Sequence, residues 1–384
     1  MVEIGLIGKP NAGKSSFLKA ATMIDVKIAP IPFTTLEPNV AISYVTKECI
    51  EKEFNTRCNP KRGYCNDGIR GIPIKLIDLP GIVPQAHLGR GLGLKFLDEA
   101  RKCEALIHVV DFSGTTDEEG KPTIDYDPEN DIKFVENEIN KWFKGIIERG
   151  LEKYRRNLNS MKRDEIVQIL EKQLSGLEVK RKEIEYVLDN FGLSDLEEFS
   201  RKLREISKPI LIVANKIDLE SSRRNYEKLK NKYKIIPASA EAEIALKTAI
   251  KKGLIKIENG KIKLISSELT EVQKVALEKI EKEILFRYGG TGIQESLNYT
   301  VFNLLNYIVV YPVADRNKLT DSEGNILPDA FLVKKGTKLK EFSFLIHTEI
   351  GSKFIAGIDV KTKKTLSADY ELKDNDVIEI IHGK

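Results

Sequence analysis

Gly8-Lys9-Pro10-Asn11-Ala12-Gly13-Lys14-Ser15-Ser16 follows the apolar run Ile4 to Ile7 and opens the amphipathic run Phe17 to Met23. A glycine-rich loop set between a strand and a helix lets backbone N–H groups close around a polyphosphate. In that setting Lys14 reaches the outer phosphates, and the Ser15 hydroxyl faces Mg2+. The helix N-terminus adds partial positive charge at the same place. The spacing predicts an α/β fold of the P-loop type, with a nucleoside triphosphate bound along Gly8 to Ser16.

Asn215-Lys216-Ile217-Asp218 bears on which base is bound. It follows Ile210 to Ala214, which reads as a buried strand. The Asp218 carboxylate can accept from both N1–H and the exocyclic amine of guanine. Adenine offers no such pair and would leave the carboxylate short of donors. The Lys216 stem can cover the face of the base, and Asn215 can tie this loop to the phosphate loop. Ala238-Ser239-Ala240 follows another apolar stretch, where Ser239 lines the base loop and a backbone N–H near Ala240 can meet guanine O6. Together these motifs point to GTP.

Asp78-Leu79-Pro80-Gly81 ends the apolar run Ile72 to Ile77. Asp78 is placed to hold Mg2+ through water, and the Gly81 N–H to sense the γ-phosphate. Between these motifs lies Pro32-Phe33-Thr34-Thr35-Leu36-Glu37-Pro38. Thr35 is expected to close over Mg2+ and the γ-phosphate, with Thr34 as the alternative. The next residue after Gly81 is Ile82, where many GTPases carry a glutamine that orients water. An isoleucine side chain makes no hydrogen bond, so hydrolysis needs another device. Asn11 could seat K+ beside the phosphates, or could simply bond backbone within the loop. His87, in the glycine-rich stretch Gln85 to Gly93, is a second candidate or an ordinary exposed loop histidine.

Taken together, GKPNAGKSS, PFTTLEPN, DLPG, AHLGRGLG and NKID resemble the Obg-like translation-factor GTPases. Within them the chain is most similar to the YchF, or Obg-like ATPase, subfamily in its archaeal form. The resemblance implies a G domain interrupted by a helical insertion and followed by a TGS domain. It also implies GTP or ATP hydrolysis and a ribosomal or RNA partner. The start at Gly8 leaves no room for the glycine-rich N-terminal domain of Obg proteins. Several subfamily members lack the guanine-reading aspartate and prefer ATP, whereas Asp218 is intact here. Some place a catalytic histidine after the strand Leu106 to Val110. Asp111 to Thr123 holds none, so that role does not transfer.

The 384 residues are 41% hydrophobic and 31% charged, the balance of a soluble globular chain of two or three domains. No apolar run approaches a membrane span, which leads to a cytoplasmic expectation. A net charge of +4 permits RNA as a partner without demanding it, and no DNA readout is expected. The strand–helix alternation assigns 1–124 and 208–290 to the nucleotide domain. Residues 125–207 read as a coiled-coil-like helical hairpin, with apolar positions Ile132, Val135, Ile139, Trp142 and Ile146, then Leu170, Leu177, Ile184 and Phe191. Lys153, Arg155, Arg156, Lys162 and Arg163 make its tip basic. Gly289-Gly290-Thr291-Gly292 reads as a hinge. Residues 305–384 alternate short strands around a helix at Leu339 to Ile346, as in a β-grasp recognition module without a catalytic cluster. Cys49, Cys58 and Cys65 fall in one polar insertion, Glu48 to Arg70, without a CxxC knuckle. They could bind zinc with an outside ligand, or two could pair as a disulfide.

Overall fold

Strands β4 (Ile69–Asp78), β1 (Glu3–Ile7), β5 (Ala105–Asp111), β6 (Ile210–Asn215) and β7 (Ile235–Pro237) lie parallel in that order. β2 (Val40–Glu48) and β3 (Tyr64–Asn66) pair antiparallel with β4 at the edge. The computed structural model describes residues 1–23, 39–89, 99–258, 260–266 and 268–383. The central strands are apolar on both faces because both are covered. Ile4 and Leu6 enter one core, and Ile7 enters the other. On the first face, α1 (Lys14–Thr22) buries Phe17, Ala20 and Ala21 and packs against α7 (Ala240–Lys251).

The second face is covered by helices inserted between β5 and β6. Among the described residues these are α2 (Pro128–Leu151), α3 (Arg163–Leu174), α4 (Arg181–Phe191) and α5 (Leu196–Ser207). Asp127 caps α2 by accepting from Glu129 N at 2.9 Å, Pro128 fits its first turn, and Glu129 and Asp131 suit its positive end. Val135, Ile139, Phe143 and Ile146 then form its buried stripe. Removing each such side chain from water contributes roughly 1.5–3 kcal/mol. The helical hairpin expected from the sequence is the 24-residue α2 packed with two shorter helices, α3 and α4. The further helix that Ser194–Glu197 announces is α5, capped by Asp195, and all four surround a shared core. The seven-residue spacing from Leu170 to Ile184 crosses a chain break: Ser175–Leu177 is a 3-10 turn, and Glu178 has φ 58°. Arg204 joins α5 to α2 through Asn140 at 2.8 Å and Glu136 at 2.7 Å.

The second sheet runs β11 (Phe331–Lys334), β10 (Tyr307–Val313), β14 (Asp376–His382), β12 (Phe354–Asp359) and β13 (Thr365–Leu366). Only the β10–β14 pairing is parallel. α10 (Leu339–Ile346), the span expected from sequence, packs Leu339 and Phe342 on one face of this β-grasp-like sheet. From the other face, Val309, Tyr311 and Val377 share a core with Ile4 and Leu6 of β1. The segment read as a hinge is a packed turn. Thr291 O accepts from Ser239 N at 2.9 Å, and a Cβ on Gly292 (φ 80°) would meet Pro237 O at 2.0 Å.

Candidate functional site

β1 delivers the glycine-rich loop to the C-terminal edge of the parallel sheet, where α/β folds gather ligand-binding loops. Gly13 has φ 97°, and a Cβ there would meet Asn215 Nδ2 at 2.2 Å, so only glycine lets the two loops touch. Lys14 begins α1 and folds back over the loop. Its Nζ donates to Lys9 O at 2.9 Å and Gly8 O at 3.1 Å. Burial pulls the Lys14 pKa below the usual lysine value, and the nearby Asp78 charge opposes that pull. Ser15 Oγ donates to Asp78 Oδ2 at 2.7 Å, while the buried Asp78 Oδ1 has no hydrogen-bond partner. An acceptor left in that state has capacity for a further donor or a cation shell.

β4 brings Asp78-Leu79-Pro80-Gly81 beside this loop. A Cβ on Gly81 would sit 2.9 Å from Pro10 N, so the two backbones are in contact. Ile82 N donates to Gly8 O at 3.0 Å. The Ile82 side chain is 1% exposed and lies in the same core as Ile7, Leu79 and Val135.

The base loop follows β6. Asn215 bridges three segments: its Nδ2 donates to Ala12 O at 3.0 Å, and its Oδ1 accepts from Ala240 N at 3.3 Å. The Ala240 N–H expected to face a base oxygen is thus shared with Asn215. Asp218 Oδ1 accepts from Ser239 Oγ at 2.6 Å, which orients the carboxylate; Ser239 also caps α7 through Ala242 N at 3.2 Å. Lys216 pairs with Asp111 Oδ2 at 2.8 Å. Burial pushes the Asp111 carboxyl up, but bonds from Lys216 and Ser113 outweigh it and leave the pKa below the ordinary aspartate value.

The sequence reading missed a set of contacts that fasten these loops to the insertion and to the loop leading into it. Lys9 Nζ is 2.8 Å from Asp131 Oδ2 on α2, donates to Thr116 O at 2.6 Å and lies over the Tyr126 ring. The side chain of Lys9 is therefore committed to the insertion, and only its backbone faces the phosphate loop. Burial lifts the Asp131 pKa to about 6 against the pull of Lys9. Asn11 Nδ2 donates to Gly120 O at 3.0 Å, so Asn11 bonds a distant loop rather than its own. Glu138 of α2 accepts from Gln85 N and His87 N, both at 3.0 Å, and from the His87 ring at 2.5 Å. His87 is thus an anchored residue rather than an exposed one. No local signal marks these partners, which lie 51 or more positions apart. Thr34, Thr35 and the stretch Arg90 to Gly93 lie outside the described residues.

A family model for the 50S ribosome-binding GTPases matches residues 3–153. One for the G4 motif-containing domain of YGR210-like, Obg-like GTPases matches 213–315, and a TGS domain model matches 323–382. An uncharacterized GTP-binding protein of Methanocaldococcus jannaschii is 47% identical, with 99% of each chain covered. An uncharacterized GTP-binding protein of Schizosaccharomyces pombe is 35% identical over 89% of each chain. A crystal structure of a GTP binding protein from Pyrococcus horikoshii superposes with a TM-score of 0.77, at 34% identity and 100% coverage of both chains. The Schizosaccharomyces pombe YchF GTPase shares the fold, with a TM-score of 0.58 at 18% identity over 99% of this chain and 97% of its own. The chain belongs to the same family as these GTP-binding relatives, an Obg-like family of P-loop proteins.

Proposed function

We propose that the chain hydrolyses GTP with Mg2+ and uses the phosphate state to control its grip on a ribosomal or RNA partner in the cytoplasm. The observation that carries the GTP reading is the Asn215 bridge. One side chain joins the phosphate loop at Ala12 to the base loop, where Ser239 holds the Asp218 carboxylate in place. A ligand spanning both loops would meet backbone N–H groups of Gly8 to Ser16 at its phosphates. Lys216 and Asp218 would meet its base.

Ser15, with the partnerless Asp78 oxygen beside it, fits Mg2+, and Thr35 is the further ligand expected from sequence. When bound, the ion neutralises charge on the phosphate oxygens. Lys14 supplies positive charge at the β/γ-phosphates, and Gly81 N–H reads the γ-phosphate. Asn11 is the candidate holder for K+. The basic connection through Lys153, Arg155 and Arg156 is exposed and suits a nucleic-acid backbone.

Two other readings compete. An ATPase of the same fold is disfavoured by the Asp218 carboxylate. A nucleotide-gated module with negligible turnover is favoured by Ile82, whose buried apolar side chain cannot orient water. Phosphate release from GTP and from ATP, measured with and without ribosomes, separates all three. The present reading requires GTP turnover that rises when ribosomes are added.

A further inference from the structure

The polar insertion between β2 and β4 gathers three cysteines and a glutamate from three separate segments. Cys49 follows β2, Glu51 lies in the 3-10 turn Ile50–Lys52, Cys58 lies on the loop beyond it, and Cys65 is in β3. One ligand atom from each falls within 4.8 Å of all the others. The Cys49 and Cys58 sulfurs are 3.7 Å apart. A disulfide needs about 2.05 Å. Two thiolates sharing a tetrahedral zinc, each at about 2.3 Å, lie roughly 3.8 Å apart. The sulfurs are therefore at the spacing of an edge of a metal tetrahedron.

A second observation concerns charge. Arg70, opposite Cys65 in the β3–β4 pairing, is fully buried. Its guanidinium donates to Leu327 O at 3.0 Å and Pro328 O at 2.8 Å, its Nε has no partner, and no carboxylate pairs with it among the described residues. A buried cation bonded only to neutral carbonyls lacks the counter-charge that burial demands. Zinc held by three thiolates and a carboxylate is net anionic and supplies that counter-charge.

We propose that Cys49, Cys58, Cys65 and Glu51 form a structural zinc site. Each thiol binds by giving up its proton to solvent, with no change of oxidation state. Glu51 Oε2 already accepts from Cys58 N at 2.8 Å, which fixes the carboxylate beside the sulfurs. All four positions are filled by protein, as in closed structural sites. The site locks the segment that receives the C-terminal domain. In that segment Asn59 N donates to Ile326 O at 2.8 Å and Lys61 N to Pro328 O at 2.9 Å. Lys61 Nζ also pairs with Asp321 and Glu323. Zinc thus holds in shape the edge of the nucleotide domain to which residues 321–328, ahead of β11, are bonded, and it is set apart from the phosphate and base loops in sequence.

The test uses the full chain, purified under reducing conditions and incubated with zinc before desalting. The expected result is a single zinc equivalent per chain by elemental analysis. Cobalt exchanged for zinc should show thiolate charge-transfer and tetrahedral d–d bands. Cys49→Ser, Cys58→Ser and Cys65→Ser should each lose most of the metal, Glu51→Gln should release it more readily to a chelator, and Cys103→Ser should retain it. Removing the metal from the unmodified chain should speed amide exchange at Asn59 and Lys61 while GTP binding persists. No bound zinc would overturn the proposal, as would four thiols equally reactive with and without zinc. A Cys49–Cys58 disulfide in the native protein would also overturn it.

Discussion

The His87 ring nitrogen Nδ1 lies 2.5 Å from Glu138 Oε2, which ties the loop after β4 to the first helix of the insertion. The same carboxylate takes the N–H groups of Gln85 and His87. Gly81 and Ile82, which touch the phosphate loop, are six and five residues upstream of His87. A displacement of that loop on γ-phosphate binding would be passed to α2 through this tie. Leu79 and Ile82 share a core with Val135 and Ile139 of α2, so the packing carries the same displacement. These contacts form one continuous physical connection from the phosphate loop to the insertion.

Glu138→Ala should free the loop without removing a nucleotide contact. Hydrogen bonds to a charged acceptor contribute about 1.5–3 kcal/mol each, and their loss should speed amide exchange at Gln85 and His87 by more than tenfold. Unchanged exchange at both amides would remove Glu138 from the route. The pH dependence has a definite sign. Burial pushes the Glu138 carboxyl up, but the bonds from His87 and Gln85 outweigh it and leave its pKa below the ordinary glutamate value. A depressed folded pKa gives stabilisation that is complete above the unfolded value and is lost as pH falls through the folded one. The tie should hold at neutral pH and open only in acid, below the ordinary glutamate range. Exchange measured across that range in wild type and Glu138→Gln should converge at the acid end.

Ile82→Gln tests whether restoring a glutamine restores a water-orienting group. The side chain at this position points into the core rather than toward the phosphates, at 1% exposure. A glutamine there would bury an amide without partners, at a cost of about 1–3 kcal/mol. Reduced thermal stability with no gain in GTP turnover is the expected outcome. A faster enzyme of unchanged stability would show that the loop can turn this residue outward.

The loops that cradle phosphate and base were legible because each is a contiguous string whose chemistry is local. Gly8 to Ser15 and Asn215 to Asp218 carry their own strand and helix flanks, and the structure joins them through Asn215 and Ala12. α10 was legible for the same reason, with its apolar spacing and a break on either side. The insertion was legible as helical, with the buried stripe of α2 read from its spacing, but a seven-residue spacing cannot reveal that Glu178 adopts a left-handed conformation and parts α3 from α4. The partners of Lys9, Asn11 and His87 were invisible in principle. Each lies in a segment brought near only by the order of strands in the sheet. The three cysteines showed up as a count, but their convergence needed the β3–β4 hairpin to bring Cys65 back toward Cys49.

Asp218→Ala addresses base selection. The carboxylate accepts from Ser239 through one oxygen, which leaves acceptor capacity for guanine's two donors. The unmodified chain should bind GTP at least tenfold more tightly than ATP, a difference of about 1.4 kcal/mol. The variant should lose most of that gap while keeping affinity for the phosphates. Competition binding measures both, and equal affinities in the unmodified chain would sink the assignment.

Lys14→Ala separates phosphate chemistry from folding. The ammonium is held by the Gly8 and Lys9 carbonyls, where it can turn toward a phosphate without a change in backbone. Burial already disfavours its charge, so the substitution should leave the fold intact. GTP turnover should fall below detection. A folded variant with full turnover would place the active site elsewhere.

Asn11→Ala tests the cation device. Ile82 offers no polar atom to the attacking water, so turnover must draw on stabilisation of charge that develops on the phosphates. Asn11 adopts φ 61° in the phosphate loop, and its Nδ2 is already engaged with Gly120 O at 3.0 Å. That bond holds the amide in one orientation and leaves its oxygen as the atom available to K+. Potassium should then raise GTP turnover above the rate in sodium, and Asn11→Ala should weaken the preference. The variant also releases the loop that carries Gly120, so amide exchange at Gly120 and Lys121 reports that structural effect separately. GTP affinity should change less than turnover, because backbone N–H groups and Lys14 make most of the phosphate contacts. Equal rates in potassium and sodium, both for the purified chain and with ribosomes added, would reject the cation and leave catalysis to a group supplied by the partner.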